Sequence, residues 1–292
     1  MKTKILVSND MPLLSKQFEV ILDKGVFDMS GISLAIENET AFDNVIKNCL
    51  RAHGIKIIGG ERLNKLEQVK LMERLNVPHP KSFFNRDRFS PIKTIEEFDS
   101  YYEGDDIFLI KPLLGARGIG VKKLRRKELY DCLINNETEK IFSKEIKELV
   151  NEKNLNITPN KDYIIDMIQS GNFLIQNLVN IVKEFRIIYF KGGKAISYER
   201  VKKTGSFRGN LSRGATRMDV TNLNFKKYIS PLLPKFDLIL NELNYPYLSF
   251  DVFVDDKGNS GIIEFQMEFD YQGFNPRIVV DSLEQAINLC LN

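Results

Sequence analysis

The alternation of apolar and polar residues along the chain predicts strands and helices in mixed order. Short apolar runs at 4–8, 55–58, 107–111, 173–182, 184–189, 194–201, 247–254 and 261–265 are typical of β-strands. Apolar residues at helical spacing predict helices around 13–22 and over 41–52, 63–75, 225–243 and 281–291, and the charged segment 127–161 has a helical pattern as well. We therefore expect an α+β architecture rather than a regular doubly wound sheet.

Composition and charge narrow the classes of function. Apolar residues make up 43% of the 292 residues and charged residues 28%, as in ordinary globular proteins. The net charge of +3 and the short basic run at 122–127 favour a solvated surface over nucleic-acid binding. The three cysteines and two histidines lie far apart, which argues against a zinc site. Without a signal peptide or an apolar stretch of roughly 18 residues, we expect a cytoplasmic protein with no membrane partner.

A glycine-rich segment follows the predicted strand that ends at Lys111. Gly115, Gly118 and Gly120 let backbone amides turn toward an anion because no Cβ stands in the way. Lys111 and Arg117 add positive charge, so the segment suits a phosphate-binding loop. The spacing matches neither a P-loop nor a Rossmann fingerprint. Taken alone, the pattern fits a tight turn between two strands equally well.

The last two predicted strands form a hairpin that carries a pair of carboxylates. If its turn centres between Lys257 and Gly258, Asp251 lies directly opposite Glu264. Like charges opposed in a sheet repel, and burying them unpaired costs several kcal/mol. A divalent cation between them would remove that conflict, and Gln266 on the same face would complete an oxygen set suited to Mg²⁺. The alternatives are an exposed face where both carboxylates meet water, or a register shift that separates them.

Taken in order, these segments resemble the ATP-grasp superfamily, closest to its branch of ribosomal-protein glutamate ligases and related carboxylate–amine ligases. The resemblance covers about residues 50 to 280 and rests on Asn64-Lys65, the segment 75–80, Lys111-Pro112 with its glycine loop, the strand 173–179, Glu184-Phe185-Arg186, Arg200, the segments 205–210 and 213–215, and the pattern Asp251, Glu264 and Gln266. It implies two α+β lobes clasping ATP after a short α/β pre-ATP-grasp domain. The expected domain boundaries are 1–62, 63–180 and 181–292.

The resemblance also implies a role for each matching residue. ATP phosphates would be held by Lys65 and Lys111 under the loop formed by Gly115, Arg117, Gly118 and Gly120. Adenine would lie against Gln176, Asn177 and Leu178. Mg²⁺, as two ions, would bind Asp251, Glu264 and Gln266. The transferred phosphoryl group and an acyl phosphate would be stabilised by Arg186, Arg200, Arg208 and Asn210. Catalysis would then rest on positioning and charge neutralisation, with no nucleophilic side chain.

The implied activity is an ADP-forming ligase that couples a carboxylate to an amine, acting on a small molecule or peptide; a homodimer is one option for its assembly. The chain departs from the family pattern where Gln266 replaces asparagine, Glu184 replaces aspartate, and the segment 268–274 lacks the usual Ser-Pro-Gly. The altered Gln266 and the segment 268–274 motivate one alternative, an ATP-binding regulatory protein that has lost turnover. A second alternative is a kinase-like enzyme that transfers phosphate to a small molecule.

Overall fold

In the residues that it describes, the computed structural model of the protein contains three β-sheets with helices packed against them. It describes residues 4–7, 19–22, 32–39, 44–61, 63–84, 91–113, 121–134, 140, 143, 173–201, 215–266 and 276–291. Strands and helices are mixed along the chain, so the predicted α+β class is confirmed. Within these residues, no helix combines the length and apolar character that a membrane span requires.

The first sheet is parallel and is formed by β1 (Lys4–Val7), β2 (Glu19–Leu22), β3 (Ile32–Glu39) and β4 (Lys56–Glu61) in the order β2-β1-β3-β4. Helix α1 (Asn44–Ala52) connects β3 to β4. The helix predicted around 13–22 is wrong for 19–22, because this segment pairs with β1 in a parallel ladder. Its Val20 and Ile21 favour strands, and sheet pairing outweighs the helical spacing of its apolar residues. Strand β3 was not predicted.

Helix α2 (Lys65–Arg74) begins at a capping box and packs toward the third sheet. The Asn64 side chain accepts hydrogen bonds from the amides of Leu66 and Glu67, and the Glu67 carboxylate accepts one from the Asn64 amide at 2.7 Å. Val69 and Met72 are buried in the largest hydrophobic cluster. The start of this helix is therefore fixed in place, and Lys65 is its first residue.

The second sheet is antiparallel, with β5 (Ser82–Phe84), β6 (Ile107–Pro112), β7 (Lys122–Arg125) and β8 (Phe173–Asn177) in the order β5-β8-β6-β7. Helices α3 (Pro91–Tyr101) and α4 (Arg126–Ile134) cover one face through an aromatic cluster of Phe98, Tyr102, Phe108 and Phe173. Because side chains alternate along a strand, Lys111 points to the opposite face, together with Leu174, its partner on β8.

The third sheet is antiparallel, with β9 (Ile181–Phe190), β10 (Ala195–Val201), β11 (Thr216–Asp219), β12 (Tyr247–Asp255) and β13 (Ser260–Gln266) in the order β11-β10-β9-β12-β13. The segment 222–232 runs through a short helix, a π-helical turn and a 3₁₀ turn into α5 (Leu233–Leu243), and α6 (Pro276–Leu291) closes the chain. Phe236 of α5 stacks on Phe250 with ring centroids 4.2 Å apart. The helices thus bury one face of the sheet.

Candidate active site

The other face of the third sheet carries a row of charged side chains. Arg186 on β9 lies opposite Asp251 on β12, and Asp251 lies opposite Glu264 on β13. Residues directly opposed on antiparallel strands point to the same side of the sheet, so these three share a face. Ser249 and Gln266 oppose each other two residues further along and point to the same side.

The hairpin of β12 and β13 reaches this pairing through an irregularity in its register. The loop centres on Lys257 and is closed by a hydrogen bond of 2.9 Å from the Asp255 amide to the Asn259 carbonyl. The register then shifts next to Asp251 and brings it opposite Glu264. The predicted pair is therefore confirmed. The predicted turn centre was half a residue too far along the chain, and the bulge compensates for that difference.

Asp251 forms ion pairs with Arg186 on the adjacent strand β9 and with Arg200 on β10, the strand beyond it. It accepts hydrogen bonds from Arg186 Nη2 at 3.1 Å and Arg200 Nη1 at 3.0 Å, and Arg186 Nε also contacts its Oδ1. Arg200 Nη1 donates to Glu184 Oε1 at 2.9 Å, and Arg186 Nη1 donates to Ser249 Oγ at 2.9 Å. The charge of Asp251 is thus compensated by arginines of its own sheet.

This network is buried, which sets the charge state of its members. Arg200, Glu184 and Asp251 are 7%, 6% and 5% exposed. Burial alone would lower the pKa of Arg200, but the adjacent charges of Asp251 and Glu184 outweigh it and raise that pKa. The guanidinium is therefore held permanently charged. A buried ion pair of this kind depends on all its partners, because removing one leaves a charge without compensation.

Two lysines approach the same carboxylates from outside the third sheet. The Lys65 amide donates to the Leu113 carbonyl at 3.0 Å, which ties the start of α2 to the end of β6, where Lys111 lies. Burial lowers the pKa of Lys111 to about 8; attraction by Glu264 opposes this shift, and the charge of Lys65 reinforces it. Burial works against the ionised form of Glu264, but the charges of Lys65 and Lys111, together with those of Arg186 and Arg200, outweigh it and lower its pKa. The two lysines therefore stabilise the charge of Glu264 although neither belongs to the third sheet.

In the strand predicted to contact adenine, some polar groups already form hydrogen bonds within the protein. Gln176 is buried; its Nε2 donates to Ser82 Oγ at 2.7 Å, and its Oε1 is a buried atom with no hydrogen-bond partner among the described residues. The Leu178 amide donates to the Ile107 carbonyl at 3.1 Å, so a backbone contact from Leu178 to a base would use its carbonyl oxygen. By strand alternation the Asn177 side chain belongs to the opposite face from Gln176.

Comparison with solved structures identifies this arrangement of sheets. No protein-family model and no curated protein matches the sequence. D-alanyl-alanine synthetase A from Vibrio cholerae has a TM-score of 0.60 at 13% identity, covering 99% of this chain and 98% of that one. The ATP-grasp ligase PsnB, solved with a minimal precursor, Mg and ADP, has a TM-score of 0.55 at 12% identity, covering 97% and 96%. The chain has the ATP-grasp fold. D-cycloserine synthetase DcsG matches equally fully, with a TM-score of 0.61 at 12% identity over 99% of both chains.

The ATP-grasp resemblance seen in the sequence is thereby confirmed at the level of the fold. At such low identity the likeness gives no residue roles, so each assignment stays a prediction, as do the domain boundaries. Six predicted site residues lie outside the described residues, namely Gly115, Arg117, Gly118, Gly120, Arg208 and Asn210. The structure brings together six others, namely Lys65, Lys111, Arg186, Arg200, Asp251 and Glu264.

The residues present fit Mg²⁺ together with phosphate rather than Mg²⁺ alone. Asp251, Glu264 and Gln266 offer the oxygen donors that Mg²⁺ prefers. However, no group of three or more His, Cys, Asp or Glu side chains in the described part of the chain could hold a metal. The network combines four cations (Lys65, Lys111, Arg186 and Arg200) with three carboxylates (Glu184, Asp251 and Glu264), which leaves a surplus positive charge. This surplus favours an anionic ligand beside these residues.

Three further polar residues on these faces were not predicted from the sequence. Ser249 Oγ accepts a hydrogen bond from Arg186 Nη1, and Ser82 Oγ accepts one from Gln176 Nε2. Tyr198 lies opposite Arg186, and its ring stacks under the Arg217 guanidinium at 4.6 Å. Alternation within the predicted strands 194–201 and 247–254 could have placed Tyr198 and Ser249 on the site face. Strand β5, which carries Ser82, was itself not predicted.

Proposed function

We propose that the protein is an ADP-forming ligase that activates a carboxylate as an acyl phosphate and couples it to an amine. The observation that carries this proposal is the meeting of Lys65 and Lys111 with the carboxylate and arginine network of the third sheet. Transfer of a phosphoryl group needs its charge neutralised and its reactants aligned, and fixed cations around a buried site supply both.

Each lobe has a distinct task in this mechanism. Lys65 and Lys111 bind the nucleotide phosphates and neutralise their charge. Asp251, Glu264 and Gln266 would hold Mg²⁺, which would supply positive charge that neutralises the phosphate groups. PsnB, which has the same fold, was solved with Mg and ADP, and this observation supports the pairing of nucleotide and metal.

Arg200 is the best placed group to stabilise the acyl phosphate. Its Nη1 is fixed by Glu184 and Asp251, so the guanidinium plane has one orientation. Its Nε is a buried donor with no hydrogen-bond partner among the described residues. A buried donor without an acceptor is costly, and an anionic oxygen of the reacting group would satisfy it. Arg186, held by Ser249 and Asp251, adds a second oriented cation.

The substrates belong to a class rather than to a single compound. PsnB was solved with a precursor peptide, and D-alanyl-alanine synthetase is named for a dipeptide. By this analogy the carboxylate and the amine of this protein are amino acids, peptides or similar small molecules. Cytoplasmic location and homodimeric assembly remain predictions from the sequence.

The test is ADP release measured over panels of carboxylates and amines. We expect ADP and phosphate only when both substrates are present. The Glu264→Gln variant should lose at least about 100-fold in turnover, as expected when a ligand of the cation that neutralises transition-state charge is removed. Asp281→Asn, an exposed carboxylate on α6, is the matched control and should keep full activity. AMP as product would contradict the proposal, as would ADP release that leaves a stable phosphorylated substrate.

A further inference from the structure

A short hydrogen-bonded chain runs from β5 to β8 at the edge of the nucleotide lobe. Ser82 Oγ lies 2.7 Å from the Pro80 carbonyl oxygen and 2.7 Å from Gln176 Nε2. Ser82 and Gln176 oppose each other across the two strands, and they are 7% and 1% exposed. Neither side chain therefore has bulk water as a competing partner.

The direction of each hydrogen bond in this chain follows from chemistry. The Pro80 carbonyl oxygen can only accept, and two oxygens 2.7 Å apart require a proton between them. The one hydroxyl proton of Ser82 must supply it, so Ser82 Oγ is left as an acceptor. It can then pair only with the NH₂ end of the Gln176 amide. Rotating that amide would place two acceptors face to face.

The consequence is that Gln176 Oε1 is held facing away from Ser82. This oxygen is buried and has no hydrogen-bond partner among the described residues. Buried acceptors are nearly always paired in folded proteins, so one that is held without a partner points to a ligand that donates. Gln176 shares its face of the sheet with Lys111, whose partner Leu174 lies two residues before Gln176 on β8. An acceptor and a phosphate-binding lysine thus lie on one surface.

We propose that Ser82 is a positioning residue that selects the nucleobase through Gln176. The fixed carbonyl accepts a hydrogen bond from the exocyclic amino group of adenine. Guanine and hypoxanthine carry a carbonyl oxygen at that position, and two acceptors would then face each other in a buried site. This inference rests on the proposed ATP-dependent function and adds to it the residue that sets the preference for adenine.

The test compares binding of non-hydrolysable ATP and ITP analogues, measured by calorimetry with Mg²⁺ present. We expect the wild-type protein to prefer the ATP analogue by at least about tenfold, since each end of the lost pair is left without a partner. Ser82→Ala releases the Gln176 amide to rotate, so the ratio of the two affinities should fall to about threefold or less. Ser82→Thr keeps the hydroxyl and should keep the wild-type ratio. Ser100→Ala, on the exposed side of α3, is the matched control.

A second variant separates positioning from a general loss of structure. Gln176→Met removes the acceptor in a side chain of similar size, so the ratio should also fall to about threefold or less. If Ser82 acts through Gln176, the double variant should have the same ratio as Gln176→Met alone. Additive effects of the two changes would overturn the inference, as would a wild-type ratio in Ser82→Ala. In both cases ATP binding itself would remain, and the proposed function would stand. Binding of neither analogue to the wild-type protein would contradict the proposed function and this inference together.

Discussion

The two sheets that border the candidate site differ in how their charged groups are satisfied. On the third sheet, Arg186 and Arg200 are paired with carboxylates of the same sheet, at distances of 2.9 to 3.1 Å. On the second sheet, the carboxylates that attract Lys111, namely Glu264, Glu184 and Asp251, all belong to the third sheet. Gln176, also on the second sheet, has a buried acceptor without a partner among the described residues.

This difference suggests that the third sheet provides a rigid framework and that the second sheet provides groups that bind the ligand. On the third sheet, Arg186 and Arg200 are each paired with carboxylates of the same sheet, so the orientation of these cations is set before a ligand arrives, which is the arrangement that stabilises developing charge most effectively. Arg200 Nε still has no hydrogen-bond partner among the described residues. The second sheet carries Lys111 and Gln176, whose desolvation is unfavourable in the absence of a ligand. We therefore expect changes on the third sheet to reduce stability, and changes on the second sheet to reduce nucleotide affinity.

The largest effect should come from Arg200→Met. It leaves Glu184 and Asp251 buried without their shared cation, so the free energy of unfolding should fall by about 3–5 kcal/mol in urea denaturation. The matched control is Arg74→Met, which removes the exposed ion pair with Glu242 at 2.7 Å. That change should cost no more than about 1 kcal/mol. Equal losses in the two variants would remove the distinction between the sheets.

Lys111→Met should reduce the affinity for nucleotide and leave the stability almost unchanged. Removing an ammonium whose pKa is lowered by desolvation relieves that unfavourable contribution, so stability should stay unchanged or rise by about 1 kcal/mol. Affinity for the ATP analogue should fall about 10- to 100-fold, because a charged contact to phosphate is lost. Lys127→Met on the exposed side of α4 is the control and should change neither quantity. A large loss of stability in Lys111→Met would assign this lysine to the rigid framework instead.

Nucleotide affinity should also depend on pH through Lys111. Its pKa is lowered from 10.5 to about 8 in the folded protein, so above pH 8 the lysine is neutral before the nucleotide binds. Affinity should then fall by up to about tenfold per pH unit above 8. Between pH 8 and 10.5 the unfolded chain holds a proton that the folded protein has released, so Lys111 contributes a rise in stability across this window. Lys111→Arg stays charged, and both dependences should disappear in titrations of that variant.

The smallest effect should come from the turn of the carboxylate hairpin. Gly258 has φ of +84°, and an added Cβ would meet nothing within 4 Å. Gly258→Ala should therefore cost about 1 kcal/mol of stability through backbone strain alone. The bulge next to Asp251, rather than the turn, sets the alignment with Glu264, so nucleotide affinity should not change. Lys257→Ala at the exposed centre of the same turn should be neutral in both measurements, and a drop in affinity for Gly258→Ala would show that the turn governs the site.

The parts of this site that sequence could predict are those set by local patterns. Two strands with alternating residues around a glycine-containing turn were enough to place Asp251 opposite Glu264. The bulge next to Asp251 has no recognisable pattern in the sequence. The ion pair of Arg200 with Glu184 depends on the register in which β9 pairs with β10. Gly192-Gly193 indicates a hairpin between these strands, but it does not indicate which residues lie opposite each other. Ser82 and Gln176 are 94 residues apart, and no local pattern links them. The segment 19–22 was predicted helical because the spacing of its apolar residues fits both a helix and a strand. Its pairing with β1, which is distant in the pattern, makes it a strand.

The transfer of a heavy-oxygen label from the substrate carboxylate tests the central claim most directly. If ATP phosphorylates the carboxylate, one labelled carboxylate oxygen leaves with that phosphoryl group when the amine attacks. The account predicts that each turnover releases ADP and one inorganic phosphate carrying one labelled oxygen, detected by mass spectrometry. Phosphate without the label, or label found in AMP, would contradict an acyl phosphate formed in this cleft.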